Sequence, residues 1–328
     1  MRSREEPASG TRARSTGRRP VRDLSRRARR CMRIGYACVN QSVGASASRT
    51  FRLASYSEER AAETIASNLR VLREILEWNL ARGILYFRIS SGTIPLASHP
   101  VMTFDWKTQF AEELREIGTF IVESGMRTNM HPGQYTLINS NRPEVVEASI
   151  LELQYHADLM DLMGLDQTHK IQLHTGGVYG DKPAATDRFV AVYETLDVSI
   201  RKRLVIENEE RHFNLADNLR IHERTGIPLL FDTFHHDLFN EGESLAEALD
   251  LVQPTWEGHG PAMLDYSSQD PDKRWGAHTP TIDLEDFSSV LDVLDGRDVD
   301  VMLEIKDKEK SALAANEFLR ERAAARSD

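Results

Sequence analysis

Asn129-Met130-His131-Pro132-Gly133-Gln134-Tyr135 ends a predicted strand at 126–130 with a histidine, a forced turn and two side chains suited to touching bases. Pro132 locks its own φ and biases His131 toward extended geometry, and Gly133 permits a sharp change of direction. A histidine held between a strand and a Pro-Gly turn stands where a metal or a substrate can meet it. A single histidine of this kind is more often a solvated loop residue. The stretch gains weight because similar polar strand ends recur along the chain.

Working outward from it, the sequence alternates short apolar or β-branched runs with longer helical ones. Strands are predicted at 32–38, 84–89, 126–130, 170–173, 203–206, 227–231, 262–264 and 299–303. Helices are predicted at 58–81, 107–124, 142–163, 184–200, 215–224, 244–252, 284–294 and 308–323. In the first helix Ile65, Leu69, Leu72, Ile75 and Leu76 recur at helical spacing behind Ser57, a natural N-cap. The third opens with Pro143 in its first turn. Eight strand–helix units specify an α/β fold of the (β/α)8 TIM-barrel type rather than an open Rossmann sheet. No GxGxxG or Walker loop stands where a nucleotide fold needs one.

Length allows one large barrel or two ordinary domains. The chain has 328 residues, 40% hydrophobic and 28% charged, as expected of a globular protein with a sizeable core. No apolar run approaches the roughly 20 residues needed to cross a bilayer. Its two cysteines, Cys31 and Cys38, are too few for a disulfide framework or a thiolate zinc site, which favours a reducing cytosol.

Charge is unevenly spread. Residues 1–31 hold eleven arginines against Glu5, Glu6 and Asp23, a net of +8, which leaves −18 for the rest of a chain whose total is −10. An acidic body argues against a general nucleic-acid-binding surface but suits a site rich in metal-binding carboxylates. The arginine-rich start lacks apolar periodicity and a signal-peptide core, and reads as a disordered extension. Its composition also fits a transit peptide or a nucleic-acid-binding arm. Translation starting at Met32, where the first strand opens, is the simpler expectation, with 32–328 as a single barrel domain.

Barrel active sites lie at the C-terminal ends of the strands. Those ends carry His131, His174, Glu207, Asp232, Asp265 and Glu304, with His235, His278 and His99 in the loops beyond. Closure of the barrel therefore brings six candidate ligands to one mouth. Imidazole and carboxylate donors suit Mn²⁺, Zn²⁺ or Fe. Glu207 is the expected bridge between two ions about 3.5–4 Å apart, one acidifying water and the other stabilising a leaving oxygen. A sugar isomerase can use a similar mouth, so the donor set alone does not choose the reaction.

Several stretches in the same order resemble the UV damage endonuclease family. They are Gly35-Tyr36-Ala37-Cys38, Arg88-Ile89-Ser90-Ser91, His131 to Tyr135, Leu173-His174, Ile206-Glu207-Asn208-Glu209, Asp232-Thr233-Phe234-His235-His236 and Met302-Leu303-Glu304-Ile305-Lys306. The resemblance spans residues 32–309 and implies a metal-dependent barrel, related in architecture to endonuclease IV. Such an enzyme incises double-stranded DNA 5′ to pyrimidine dimers and other distorting lesions, leaving 3′-hydroxyl and 5′-phosphate ends. It implies two or three divalent ions per chain, Mn²⁺ first and Zn²⁺ or Mg²⁺ next. Their ligands would be His131, His174, Glu207, Asp232, His235, His278 and Glu304.

Gln134 and Tyr135 match the pair that probes the damaged dinucleotide, Tyr offering a stacking face and Gln an amide for base edges. Tyr36 and Asn40 match residues near the damaged strand, an ordinary strand-end hydrogen bond being their plainer role. Arg88, Lys306 and Lys308 are expected along the groove unless they are solvated surface charges. Glu207, Glu304 and Lys306 are the expected catalytic set.

Strand seven departs from the family pattern of a lysine and a histidine two residues apart, the lysine sometimes carboxylated. Met263 cannot replace that lysine, whereas Asp265 can serve as an oxygen ligand. No membrane and no obligate protein partner are expected, and the location expected is cytoplasmic, at the nucleoid in a bacterium. The alternatives are an abasic-site endonuclease, a sugar isomerase on the same barrel, or a damage-binding module without turnover.

Overall fold

The helix Glu58–Leu80 (α1) shows how the sequence builds the outer layer of the molecule. Ser57 accepts a hydrogen bond from the Arg60 N–H, and Glu58 and Glu59 complement the positive end of the helix dipole. Ile65, Leu69, Leu72, Ile75 and Leu76 form one buried stripe that joins the hydrophobic core. The computed structural model describes residues 32–326; the arginine-rich start lies outside them.

The strands β1 (Ile34–Ala37), β2 (Tyr86–Ile89), β3 (Arg127–Met130), β4 (Lys170–His174), β5 (Leu204–Glu207), β6 (Leu229–Asp232), β7 (Ala262–Tyr266) and β8 (Val299–Leu303) pair in chain order, and β8 closes on β1. Every pairing is parallel. The (β/α)8 barrel expected from the alternation is therefore the fold. At β1 the strands approach closely, since a Cβ on Gly35 would lie 2.1 Å from the Tyr86 carbonyl oxygen.

Around the barrel run α2 (Trp106–Gln109), α3 (Ala111–Glu123), α4 (Pro143–Leu162), α5 (Lys182–Thr195), α6 (Val198–Arg201), α7 (Leu215–Thr225), α8 (Thr233–Leu238), α9 (Leu245–Val252), α10 (Leu284–Leu294) and α11 (Glu309–Ala325). Two expected helices are broken. The one at 107–124 divides at Phe110, which leaves helical geometry at φ −112° and ψ 18° and turns its ring onto Phe104. The one at 184–200 divides at Leu196, which is extended and buried, and Asp197 then caps a new turn.

One helix went unseen in the sequence. Asp232 accepts from the His235 N–H and starts α8 directly after β6. Four strands also run further than expected, so that His174, Glu207, Asp232 and Asp265 lie within strands rather than after them. Among the described residues no helix is long and apolar enough to cross a membrane.

Candidate metal centre

Alternation along β4 decides what faces the barrel axis. Lys170, Gln172 and His174 share one face while Ile171 and Leu173 share the other, as period-two geometry requires. Gln172 hydrogen-bonds across the barrel to Asp265, which identifies that face as the interior. The same rule turns Arg88 on β2 and Asn129 on β3 inward, where both bond to Gln172. The interior beneath the mouth is thus polar.

The expected ligands converge at the C-terminal ends of the strands. His131, His174 and Glu207 form one group able to hold an ion, Glu207, Asp232 and His235 a second, and Asp232, Asp265 and Glu304 a third. Glu207 belongs to the first two. Its Oε2 lies 3.6 Å from His131 Nε2 and 3.8 Å from His174 Nε2, while its Oε1 lies 3.2 Å from His235 Nδ1. His131 and His174 aim their Nε2 atoms at each other across 3.1 Å. Behind them the Glu207 carbonyl accepts from Asn218 Nδ2 at 2.7 Å, and Asn208 bonds both the N–H and the carbonyl of Asp232 at 2.9 Å.

The third group is closed by a cation of the chain itself. Arg88 donates to Glu304 through Nη1 and to Asp265 Oδ2 through Nη2, the latter at 2.6 Å. Gln172 Nε2 bonds Asp265 Oδ2 at 2.7 Å and Glu207 Oε2 at 2.5 Å. A chain of hydrogen bonds therefore runs from Glu207 through Gln172, Asp265 and Arg88 to Glu304. Sequence reasoning placed Arg88 along a groove or in solvent; it is 3% exposed and its partners are these carboxylates. Gln172 was missed altogether, although a polar residue midway between Lys170 and His174 on one strand was the available signal.

Charge in the cluster favours a cation. Burial drives the Asp232 carboxyl up to about 7 against the pull of His235, with Glu207 and Glu304 adding to the rise. Burial also pushes Asp265 well above the usual carboxylate range in spite of Arg88. Burial opposes ionisation of Glu304 and Glu207 too. The Arg88 guanidinium nevertheless holds Glu304 down at about 2, and the imidazoles of His174, His235 and His131 hold Glu207 well below its ordinary value. His131 is depressed to about 3 by burial and by His174, so it presents a neutral imidazole, the form that binds metals. Asp232 Oδ2 and Asp265 Oδ1 are buried without a hydrogen-bond partner. Against its burial, His235 is driven up to about 11 by Asp232 and Glu207, so its proton is held by the surrounding carboxylates. Clustered hard oxygen donors beside the neutral His131 imidazole fit divalent ions.

The remaining expected residues divide. His278 sits at the rim, its Nε2 4.0 Å from Glu304 Oε2 and its ring against Phe234 at 5.3 Å, outside all three groups. Lys306 is bound to Asp270 Oδ2 at 3.0 Å, so its amine is engaged away from the ligand carboxylates. His99 is exposed, accepts from the Val101 N–H in a turn, and lies outside all three groups. Gln134 and Tyr135 project into solvent past His131, Tyr135 being 90% exposed. Tyr36 and Asn40 do not: the Tyr36 hydroxyl donates to Asn79 Oδ1 and accepts from Asn40 Nδ2, both at 2.7 Å, and both side chains are buried. The structure gives that pair a strand-end hydrogen-bonding role in place of contact with a damaged strand.

A closed parallel barrel with imidazoles and carboxylates gathered at its C-terminal mouth defines a TIM barrel able to hold metal ions. The UV-endonuclease UvdE family profile matches residues 32–323, and the chain belongs to this family. It is 40% identical over 293 residues to the UV DNA damage endonuclease of Clostridium perfringens, covering 88% of this chain and 71% of that one. It is 31% identical over 303 residues to the UV DNA damage endonuclease of Bacillus pumilus, covering 88% and 94%. The crystal structure of SacUVDE superposes with a TM-score of 0.86 at 49% identity, over 89% of this chain and 99% of that one. Endonuclease IV from Thermus thermophilus, at TM-score 0.55 and 15% identity over 88% and 99% of the chains, shares the fold. So does an L-ribulose 3-epimerase at 0.54 and 16%, over 91% and 99%.

Proposed function

We propose that this protein is a metal-dependent DNA-repair endonuclease that hydrolyses the phosphodiester bond 5′ to pyrimidine dimers and other distorting lesions. The observation that carries the reading is one local arrangement after β3: His131 turns into the ligand cluster, and Gln134-Tyr135, beyond the Pro132-Gly133 turn, stands free in solvent. Family membership supplies the reaction class, since the relatives carry the name UV DNA damage endonuclease.

Two ions, Mn²⁺ before Zn²⁺ or Mg²⁺, suit the donor set. His131, His174 and Glu207 would hold one, and Glu207, Asp232 and His235 the other. Bound there, divalent ions supply Lewis-acid polarisation of the phosphate and a lowered pKa for water. The chain's own residues do the rest. Arg88 holds Glu304 and Asp265 in place, supplying fixed positive charge where the third group would otherwise take a cation. Gln172 orients Glu207 from below. Tyr135 stacks into the space left by an unstacked dimer, and Gln134 reads its edge; a dimer costs less to extrude than normal bases, which is the basis of discrimination. The substrate is damaged duplex DNA in the cytoplasm or nucleoid, with no obligate protein partner.

The test is incision of a duplex carrying one dimer, with a duplex carrying one abasic site alongside, in Mn²⁺ and after chelation. Cleavage 5′ to the dimer that disappears on chelation is expected. Glu207→Ala should lose both metal and cleavage, because one carboxylate serves two groups. Gln134→Ala/Tyr135→Ala should keep its metal and lose preference for the damaged duplex. Cleavage only at the abasic site would move the protein to a different repair activity. Full metal occupancy with normal turnover in Glu207→Ala would remove that residue from the centre.

A further inference from the structure

The loop after β7 carries a feature the metal centre does not use. Trp275 is 53% exposed at its tip, and among the described residues it makes no ring contact. Of the four tryptophans, Trp106 and Trp256 are buried, and Trp78 is half-buried beneath Arg82. Lys273 and Arg274 precede it, both exposed, and neither forms an ion pair among the described residues. Asp272 offsets one of their charges, leaving the tip weakly basic on a strongly acidic body.

This tip is rigidly built. Gln269 and His278 pair as an antiparallel bridge at the base, and the Asp270 N–H donates to the Ala277 carbonyl at 2.7 Å. The Gln269 amide fills the loop, donating to the carbonyls of Asp270 and Arg274 and accepting from the Gly276 N–H. Asp270 accepts from Lys306 Nζ and from the Asp272 N–H. Fixing an exposed tryptophan on a tied loop removes much of the ordering cost that binding would otherwise meet. Exposing so large an apolar ring otherwise gains the fold nothing.

Position completes the case. In the closed ring of eight strands β7 lies four places from β3 in either direction, so the two strands stand on opposite sides of the mouth. Tyr135 rises beyond β3 and Trp275 beyond β7, with the ligand cluster between them. We infer that Trp275, with Lys273 and Arg274, is a second DNA-contacting point that grips the duplex across the metal centre from the Gln134-Tyr135 probe, the ring packing on a base or sugar and the two cations meeting phosphates. Aromatic stacking and phosphate pairing are the two interactions through which proteins hold strands without reading sequence. The inference rests on the endonuclease reading above.

The experiment measures binding of full-length, metal-loaded protein to a duplex with one pyrimidine dimer and a non-hydrolysable linkage 5′ to it, across a salt series. Trp275→Ala should weaken binding roughly tenfold or more, and Trp275→Phe should restore most of it. Lys273→Ala/Arg274→Ala should flatten the salt slope by about two, one for each phosphate contact. Duplex should quench tryptophan fluorescence in the wild type and not in Trp275→Phe. Metal content should be unchanged in every variant. Wild-type binding and incision with unaltered affinity and salt slope in these variants overturns this inference and leaves the endonuclease reading standing. A wild type that neither binds nor incises the dimer duplex overturns both. Concentration-dependent dimerisation that Trp275→Ala abolishes, with DNA affinity unchanged, would assign the tip to self-association instead.

Discussion

Two buried cations inside this barrel have opposite fates. Arg88 is matched by Asp265 and Glu304 and stays charged. Lys170 has no carboxylate in salt-bridge range among the described residues; its Nζ donates to the Lys202 carbonyl at 3.1 Å and faces His259 Nδ1 at 3.2 Å. Burial, then the charges of Arg127 and Arg203, bring its pKa down to about 7. In the unfolded chain a lysine titrates near about 10.4. Between those values the unfolded state binds more protons than the folded one, so this residue makes stability rise with pH from about 7 to about 10. Below pH 7 its penalty is full. Lys170→Met should therefore gain stability over wild type at pH 6.5 and lose that advantage by pH 9.5, as read from urea midpoints. A gap that stays constant with pH would show that Lys170 titrates normally.

Among elements, the contact of α3 with the end of α4 is the tightest the sequence dictates. Gly118 sits mid-helix, where glycine ordinarily costs about 1 kcal/mol relative to alanine. Its reason is the neighbour: an added Cβ would lie 1.7 Å from the Met163 carbonyl oxygen, a backbone atom that cannot swing aside. The propensity gain and the clash oppose each other, and overpacking of this severity outweighs it. Gly118→Ala should lower stability by roughly 2–3 kcal/mol, measured by urea unfolding. A stabilised variant would mean that the two helices stand further apart. The same scale explains the helix missed after β6. Its N-cap also belongs to two of the groups able to hold an ion: Asp232 caps α8 through Oδ1 and keeps Oδ2 without a hydrogen-bond partner.

Across the whole molecule, the centre links strands that are remote in sequence. His131 and His174 come from the ends of β3 and β4, and Glu207, Asp232, Asp265 and Glu304 from β5 to β8. A divalent ion bound to several of them binds the folded barrel and not the unfolded chain, adding about 2.7 kcal/mol at a hundredfold excess over Kd. Chelation should lower the melting temperature by several degrees and Mn²⁺ should restore it, while Glu207→Ala should melt at one temperature under both conditions. Equal melting of the wild type with and without chelator would show that the cluster is held by its own hydrogen bonds alone.

The sequence by itself determined the order of strands and helices, because apolar periodicity and caps such as Ser57 and Pro143 act within a few residues. It also determined the strand-end positions of the candidate ligands, since barrel geometry puts those ends on one face. Only the tertiary structure decided which polar side chains meet. Arg88 looked like a surface cation until cross-barrel pairing with Asp265, 177 residues away, buried it. Tyr36 looked available to a DNA strand until Asn79 and Asn40 took its hydroxyl in the core. Lys306 meets Asp270, 36 residues away in sequence. Local patterns fix secondary structure because their energies are local. Burial and charge pairing are properties of the closed barrel, and no short window of sequence contains the partners that set them.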